Sequence, residues 1–477
     1  MDYIALTILI INIVLIGTMM FIERRKPEVI ISWLVILTFV PILGFLFYII
    51  FGSGLSLKTR RMLKRKIRYE DTYESFVWKE LLRLPELSEE ERELALFNER
   101  NAKSLPYFDN DIQVFTFGRE KIEALKKDLL NAKHSINMEY YIFDDEGVGK
   151  EIMQILCDKA REGIKVKLIF DSVGCIRAPR RFFKKLKKAG GEVAEFFPPL
   201  FGIRLINFKM NYRNHRKIVV IDGRIGYVGG INIRDDHMGL KKKLSPWRDT
   251  HLRIEGNAVY GLQNAFFNDF FFCKRKHISS TELVALGYFP KMQKCGNVTT
   301  QIVCSGPESK IHYIKESYMK MISMAKSKII LQTPYLVPDD VFMAALKQAI
   351  KSGVKVIIML PRKPDKRFVY LATLSFAREL VECGAEIYLY NGFLHSKLLI
   401  VDDLCVSVGT CNADNRSFAL NFEINAFMYN KNFIKMCYDI LNEDLNNSMQ
   451  IDLTYFKQKH FTSKLGQTFF RMFAPLL

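Results

Sequence analysis

One pattern, H-x-K-x4-D-x6-G-x-x-N, occurs twice in this chain. The first copy runs His215-Arg216-Lys217 to Asp222, then Gly229 and Asn232. The second runs His395-Ser396-Lys397 to Asp402, then Gly409 and Asn412, 180 residues later. The likeness extends upstream. Asn131–Ile136, which leads into Glu139–Phe143, parallels Met324–Ile329, which leads into Thr333–Leu336. Glu162-Gly163-Ile164 before a β-branched run parallels Ser352-Gly353-Val354, and Gly190–Val193 parallels Gly384–Ile387. A repeat of this length restricts the chain to two copies of one supersecondary plan. Amphipathic helices alternating with apolar strands make each copy an α/β unit. We expect the units at 106–295 and 296–477, related by an approximate twofold axis. The first carries the longer insertion ahead of its motif, including Pro198-Pro199.

The motif has a geometry of its own. Residues two apart on a strand face one side, so His215 points with Lys217 and His395 with Lys397. Asp222-Gly223 and Asp402-Asp403 are turn signals, so each motif should form a hairpin. A turn centred near 223 sets His215 opposite residue 231, with Asn232 beside it; Asn412 comes beside His395 in the same way. Imidazole, ammonium and carboxamide in one patch suit a phosphoryl group. Two such patches facing each other would supply one nucleophile and one general acid. A zinc site is not expected, because no further Cys or His accompanies either motif at ligand spacing.

The N-terminal end has a different character. Tyr3–Ile22 and Val29–Leu57 contain no charged residue, and each is long enough to supply the ~20 apolar residues of a membrane-crossing helix. Between them lies the polar segment Glu23–Glu28. The expected element over 1–57 is a two-helix transmembrane hairpin, with a re-entrant or single-span anchor as its rival. A cleavable signal peptide fits poorly, since no basic segment precedes the first run and no small-residue cleavage site follows it. Lys58, Arg60, Arg61, Lys64, Arg65, Lys66 and Arg68 crowd the exit, which places the rest of the chain in the cytoplasm by the positive-inside tendency. Residues 58–105 read as a charged, mostly helical connector with a capping box at Ser88 and Glu91.

Of the chain's 477 residues, 49% are hydrophobic and 25% charged, which excludes a disordered protein. The net charge of +19 favours anionic partners but equally serves solubility and topology. Nine cysteines without a C-x-x-C pair are ordinary cytosolic usage.

The doubled motif resembles the phospholipase D superfamily, and the wider pattern resembles its bacterial cardiolipin synthases. The segments that carry this resemblance are Asn214–Lys217, Gly229–Asn232, Trp247–His251, Thr333-Pro334-Tyr335, Asp414–Phe418 and Asn421-Phe422-Glu423, along with the apolar stretch holding Pro41, Gly44, Tyr48 and Phe51-Gly52, and the closing Ala474–Leu477. The resemblance implies a catalytic set of His215, Lys217, Asp222, His395, Lys397 and Asp402. In that set His215 is the nucleophile and His395 the general acid and base, while the two aspartates brace the hairpins. Asn232 and Asn412 would join the lysines on the phosphoryl oxygens. Glu423 would orient His215, and Asp249 would orient His395. The sequence departs from the family at Asp236-His237-Met238, where an aromatic is usual, and His237 reads as an incidental surface residue. It departs again at Phe270-Phe271-Phe272, which replaces a Trp-bearing segment.

The reaction so implied moves a phosphatidyl group between two phosphatidylglycerol molecules, giving cardiolipin and glycerol, with no metal or cofactor. The partners are phosphatidylglycerol and anionic membrane lipid, with no nucleic acid, and the location is the cell membrane. Three other readings remain open: a hydrolase releasing phosphatidic acid from the same site, a membrane-tethered nuclease, and an inactive scaffold. The basic and apolar run Phe456–Leu477 reads either as a membrane-surface helix or as a core helix.

Overall fold

The structure is a computed structural model that describes residues 3–21, 27–48, 54–66, 68, 71–72, 74–199, 211–240, 244–458, 461–472 and 474. The charged segment at 23–26, Phe51-Gly52, most of the insertion before the first motif and Pro475–Leu477 lie outside the described residues.

Both motifs fold as antiparallel hairpins. Lys217–Ile221 pairs with Ile225–Gly229, Ile218 facing Val228 and Ile221 facing Ile225. Leu398–Val401 pairs with Cys405–Gly409, Leu398 facing Val408 and Val401 facing Cys405. These strands are apolar at consecutive positions because both of their faces are covered, as in parallel α/β sheets. In the first hairpin Val219 and Ile221 pack outward with helices Gly118–Leu130, Gly147–Arg161 and Arg180–Lys188. Ile218 and Val220 pack inward, into a core that also holds Ile330, Ile400 and Val408 of the second half.

The two halves match strand for strand. From the centre outward the first half runs Tyr107–Phe115, His251–Glu255, Ile225–Gly229, Lys217–Ile221, Ser135–Tyr140, Lys165–Asp171 and Glu192–Phe196. The second runs Val298–Ser305, Glu423–Tyr429, Cys405–Gly409, Leu398–Val401, Lys328–Gln332, Lys355–Pro361 and Glu386–Tyr390, with Ser448–Ile451 added at the edge. The innermost strands of each half pair antiparallel, Tyr107 opposite Thr300. Among the described residues this makes one continuous 15-stranded sheet with the approximate twofold axis at its middle.

The segment before residue 105 is more than a tether. Ser88 and Glu91 form both bonds of a capping box at the start of helix Glu89–Ala102. That helix packs on the second half, where the Asn98 amide donates to Gln301 and Tyr429 in the core.

The apolar N-terminus differs from the expected hairpin. Tyr3–Phe21 is one helix of 19 residues, but the second stretch breaks into Pro27–Phe39 and Pro41–Phe47. Pro41 has no N–H to give to the carbonyl of Leu37 four residues back. The amide of Asn12, buried within the first helix, donates to that carbonyl instead, at 3.2 Å, and reaches the Pro41 carbonyl at 3.4 Å. The fold at Val40 is sharp enough that a Cβ on Gly44 would lie 2.8 Å from the Ile36 carbonyl oxygen. Among the described residues no helix is long and apolar enough to cross a membrane. Ile10, Ile13, Ile31, Phe39, Ile42 and Leu43 nevertheless turn outward.

Candidate active site

Each motif histidine is held by the opposite half of the molecule. The His215 amide donates to the Phe422 carbonyl at 3.0 Å, and the His395 amide donates to the Arg248 carbonyl at 2.7 Å. Short parallel strands Trp247–Arg248 and Phe393–Leu394 make the second junction, and an isolated bridge between Asn214 and Phe422 makes the first. The carboxylates cross over with the backbone. His215 Nδ1 lies 3.0 Å from Glu423 Oε2, and His395 Nδ1 lies 2.6 Å from Asp249 Oδ2. Nδ1–H donation to a carboxylate leaves Nε2 of each ring as the free basic nitrogen. Asn421 donates to the second Glu423 oxygen, and the Thr250 amide donates to the second Asp249 oxygen. Gly230 is required here by the close packing, because a Cβ at that position would overlap Asp249 Oδ1.

Both histidines line one cavity of about 320 Å³, with Asn232 and Asn412 also in its wall. Lys217 and Lys397 are buried beneath it, each ammonium donating to the carbonyl of its own motif histidine. Asn232 Oδ1 accepts from the Ile142 amide, whereas Asn412 donates to Asp414 and its Oδ1 is buried without a hydrogen-bond partner. Burial sets the charge state. It pushes His215 down to about 4 against the pull of Glu423, and pushes His395 well below the ordinary imidazole value, with the nearby Lys397 and Lys217 acting in the same sense. Burial likewise brings Lys217 down to about 7 and Lys397 down to about 8. Glu423 stays below its ordinary value because His215 and Lys217 outweigh its own burial. The cavity therefore holds two imidazoles that burial disposes to stay neutral, over a pair of easily deprotonated ammonium groups.

Asp222 and Asp402 stand apart from this set and do not line the cavity. Each occupies the hairpin turn at the far end of its strand, with φ of +54° and +45°. Asp222 accepts from the amides of Lys133, His134 and Ser135; Asp402 accepts from those of Lys326, Ser327 and Lys328. Each therefore ties its hairpin to the start of the neighbouring strand. Asp402→Ala should lower unfolding free energy by about 2–3 kcal/mol, because three backbone donors lose a charged acceptor. Turnover per folded molecule should stay within about threefold of the parent, as for sites with no shared partners; urea unfolding with parallel activity assays measures both.

The sequence reading of His237 as a surface residue is corrected. It is buried in the cavity wall, its ring 4.1 Å from that of Trp247 and 5.3 Å from that of His395. Its Nε2 lies 3.3 Å from the Asn232 amide nitrogen. The short helix Asp235–Met238 turns it inward, and its place between Gly229 and Trp247 carried no periodicity that would have revealed this. Tyr141 and Tyr335 also line the cavity, and they occupy equivalent places in the two repeats, a signal that was available. Arg213 and Arg416 add a cation from each half. Among the described residues one trio, His237, Asp249 and His395, brings possible metal-ligand atoms within 4.8 Å of one another. Asp249 already accepts from His395 Nδ1, and both motif lysines crowd the His237 and His395 rings with positive charge. That setting suits an anion better than a dication.

The chain is similar over its whole length to known proteins. A family profile described as "Cardiolipin synthase, PLD-like domain" matches residues 125–244 and 318–445, and one described as "Phospholipase_D-nuclease N-terminal" matches 5–53. The chain is 41% identical over 486 residues to a cardiolipin synthase of Listeria monocytogenes serotype 4a (strain HCC23), covering 100% of this chain and 99% of that one. It is 40% identical to the major cardiolipin synthase of Bacillus subtilis (strain 168), covering 98% of each. A crystal structure of phosphatidylserine synthase from Haemophilus influenzae Rd KW20 shares the fold, with TM-score 0.61 and 15% identity over 80% of this chain and 97% of that one.

Proposed function

The chain belongs to the phospholipase D-like cardiolipin synthases and forms cardiolipin by phosphatidyl transfer; we propose that it does so in two steps on His215 and His395, with phosphatidylglycerol as donor and acceptor. The observation that carries this reading is the crossed pair of histidine–carboxylate contacts opening on one cavity.

In the first step His215 Nε2 attacks phosphorus and the bond from phosphorus to the glycerol oxygen breaks. His395 supplies the proton that this oxygen needs to leave. The phosphodiester anion itself favours that protonation, because its negative charge opposes the burial and the lysine charges that hold the His395 value down. In the second step the neutral His395 takes the proton of an incoming phosphatidylglycerol hydroxyl. Its oxygen bonds to phosphorus as the P–N bond breaks, and His215 regains its lone pair. Lys217, Lys397, Asn232 and Asn412 hold the non-bridging oxygens, where negative charge grows in both transition states. Glu423 and Asp249 keep each ring in the tautomer that leaves Nε2 reactive and stabilise the imidazolium.

The apolar N-terminal helices anchor the body at the cell membrane in this reading, with the cations of residues 58–68 on the cytoplasmic side beside anionic headgroups. Product analysis tests the proposal. Membranes holding the chain and labelled phosphatidylglycerol should yield cardiolipin and glycerol in equal amounts. Phosphatidic acid without cardiolipin would replace transfer by hydrolysis.

The lysine values give a pH dependence. As pH rises through about 7 to 8, Lys217 and then Lys397 lose their protons in the free enzyme, and the cavity loses charge for the phosphodiester. The expected kcat/KM therefore falls above about pH 8, on the basic side of the two lysine values. A profile still flat at about pH 9.5 would remove the lysines from phosphate binding.

A further inference from the structure

The C-terminal helix Phe461–Met472 has two unlike sides. One side packs on helix Arg367–Cys383: Gly466 sits against Leu371, the Phe470 ring lies 6.2 Å from that of Phe368, and the Arg471 guanidinium covers Phe376 and pairs with Glu379. Gln467 is buried on this side. The other side should then be polar, and it is not. Leu465 is 59% exposed, Phe469 52% and Met472 73%, spaced at i, i+4 and i+7 so that they form one stripe. Phe368, 43% exposed, lies at the neighbouring helix start.

That helix start is the lip of the catalytic cavity. Lys366 and Val369, on either side of Arg367 and Phe368, line the cavity, and the Lys366 ammonium lies 5.5 Å over the ring of Tyr335, another wall residue. The loop leading to it exposes Arg362, Lys363, Lys366 and Arg367 against the single acid Asp365. An apolar stripe beside a row of cations, on a helix otherwise fastened to the body, is the composition of a helix lying in the headgroup–acyl boundary of an anionic bilayer.

We propose that Leu465, Phe469 and Met472, with Phe368, dock the C-terminal helix into an anionic phospholipid leaflet and so hold the cavity mouth at the bilayer surface. The occupant is the leaflet, because the cations beside the stripe match its headgroups. The proposal rests on the reading that the substrate is a membrane phospholipid. It gives the chain a second membrane contact, far in sequence from its apolar N-terminus. That contact would let an acyl chain leave the leaflet beside the lip while its headgroup enters between the histidines.

The test uses the full chain in vesicles of phosphatidylglycerol and phosphatidylcholine. The double variant Leu465→Glu, Phe469→Glu should turn over long-chain phosphatidylglycerol in vesicles at least about tenfold more slowly, as expected when an interfacial apolar face is lost. A short-chain phosphatidylglycerol below its micelle concentration should react at the parental rate, since no cavity residue is altered. Separately, the Phe469→Trp variant should be quenched by bromine-labelled acyl chains, measured as the difference from the parent chain. Leu130→Trp, an exposed position near the Asp222 end of the sheet, should not be quenched. Parental vesicle turnover by the glutamate variant, or emission from the Phe469→Trp variant indifferent to the brominated lipid, overturns the docking. Loss of both reactions in the glutamate variant would mean damaged folding, and the quenching measurement alone then decides. Failure of the parent to react with the short-chain lipid would count against the catalytic reading and leave the quenching result standing.

Discussion

Replacing His215 by alanine is expected to lower cardiolipin formation by about 10⁴-fold or more, the scale seen when a nucleophile is removed from a site that keeps its binding groups. Neither neighbour on its own side is placed to take over the attack. Lys217 is buried below the ring with its ammonium turned to the His215 carbonyl, and Glu423 is fully buried behind it. His395→Ala should be comparably inactive for a different reason, and the two variants should differ in what they accumulate. Without His395 the protonated leaving group and the activated acceptor are both lost, but a donor with a good leaving group such as p-nitrophenol needs no proton. With such a donor labelled at phosphorus, His395→Ala should retain label on the protein under alkaline denaturing conditions, while His215→Ala should retain none. Label held by His215→Ala and absent from His395→Ala would exchange the two roles.

Glu423→Gln should cost about 10⁴-fold in kcat with little change in KM, following the loss seen when the carboxylate behind a catalytic histidine becomes an amide. The carboxylate accepts from His215 Nδ1 at 3.0 Å, whereas an amide can present a donor there and turn the ring to the wrong tautomer. The same change has a second readout that mere loosening of the structure would not produce. Glu423 is the charge that most strongly holds Lys217 up against its burial. Removing that charge moves the Lys217 value lower, so the basic fall of kcat/KM should begin at lower pH in Glu423→Gln than in the parent. Asp249→Asn should move the Lys397 contribution in the same direction, because Asp249 opposes the burial of Lys397. A variant slow at every pH with an unshifted profile would make Glu423 a packing residue only.

The residue string by itself determined the local architecture. Spacing between His, Asp and Asn set two hairpins whose register brings the asparagine back beside the histidine, because side chains alternate along a strand and a short three-residue turn, 222–224 or 402–404, fixes the register. Ser88 and Glu91 announced a helix start, and the repeated strand–helix alternation announced two α/β units, for equally local reasons. What only the tertiary structure decided depends on groups distant in sequence. Burial of His237 against Trp247 and His395 comes from a short helix whose inward turn leaves no sequence pattern. The break at Pro41 was legible as a proline, but its accommodation needed Asn12 on another helix to reach the orphaned Leu37 carbonyl. Asp222 and Asp402 belong to the motif in sequence yet lie a strand length from its histidines, bonded to amides some 75 to 90 residues earlier. The basic and apolar C-terminal run left a surface helix and a core helix equally open, and which face met the body depended on Phe368, Leu371 and Glu379 arriving beneath it. Above all, each repeat holds only half of the chemical set. Assembly of the halves across the central strand pair sets Glu423 behind His215 and Asp249 behind His395, and a backbone hydrogen bond across the dyad fixes each at a distance that no single repeat could hold.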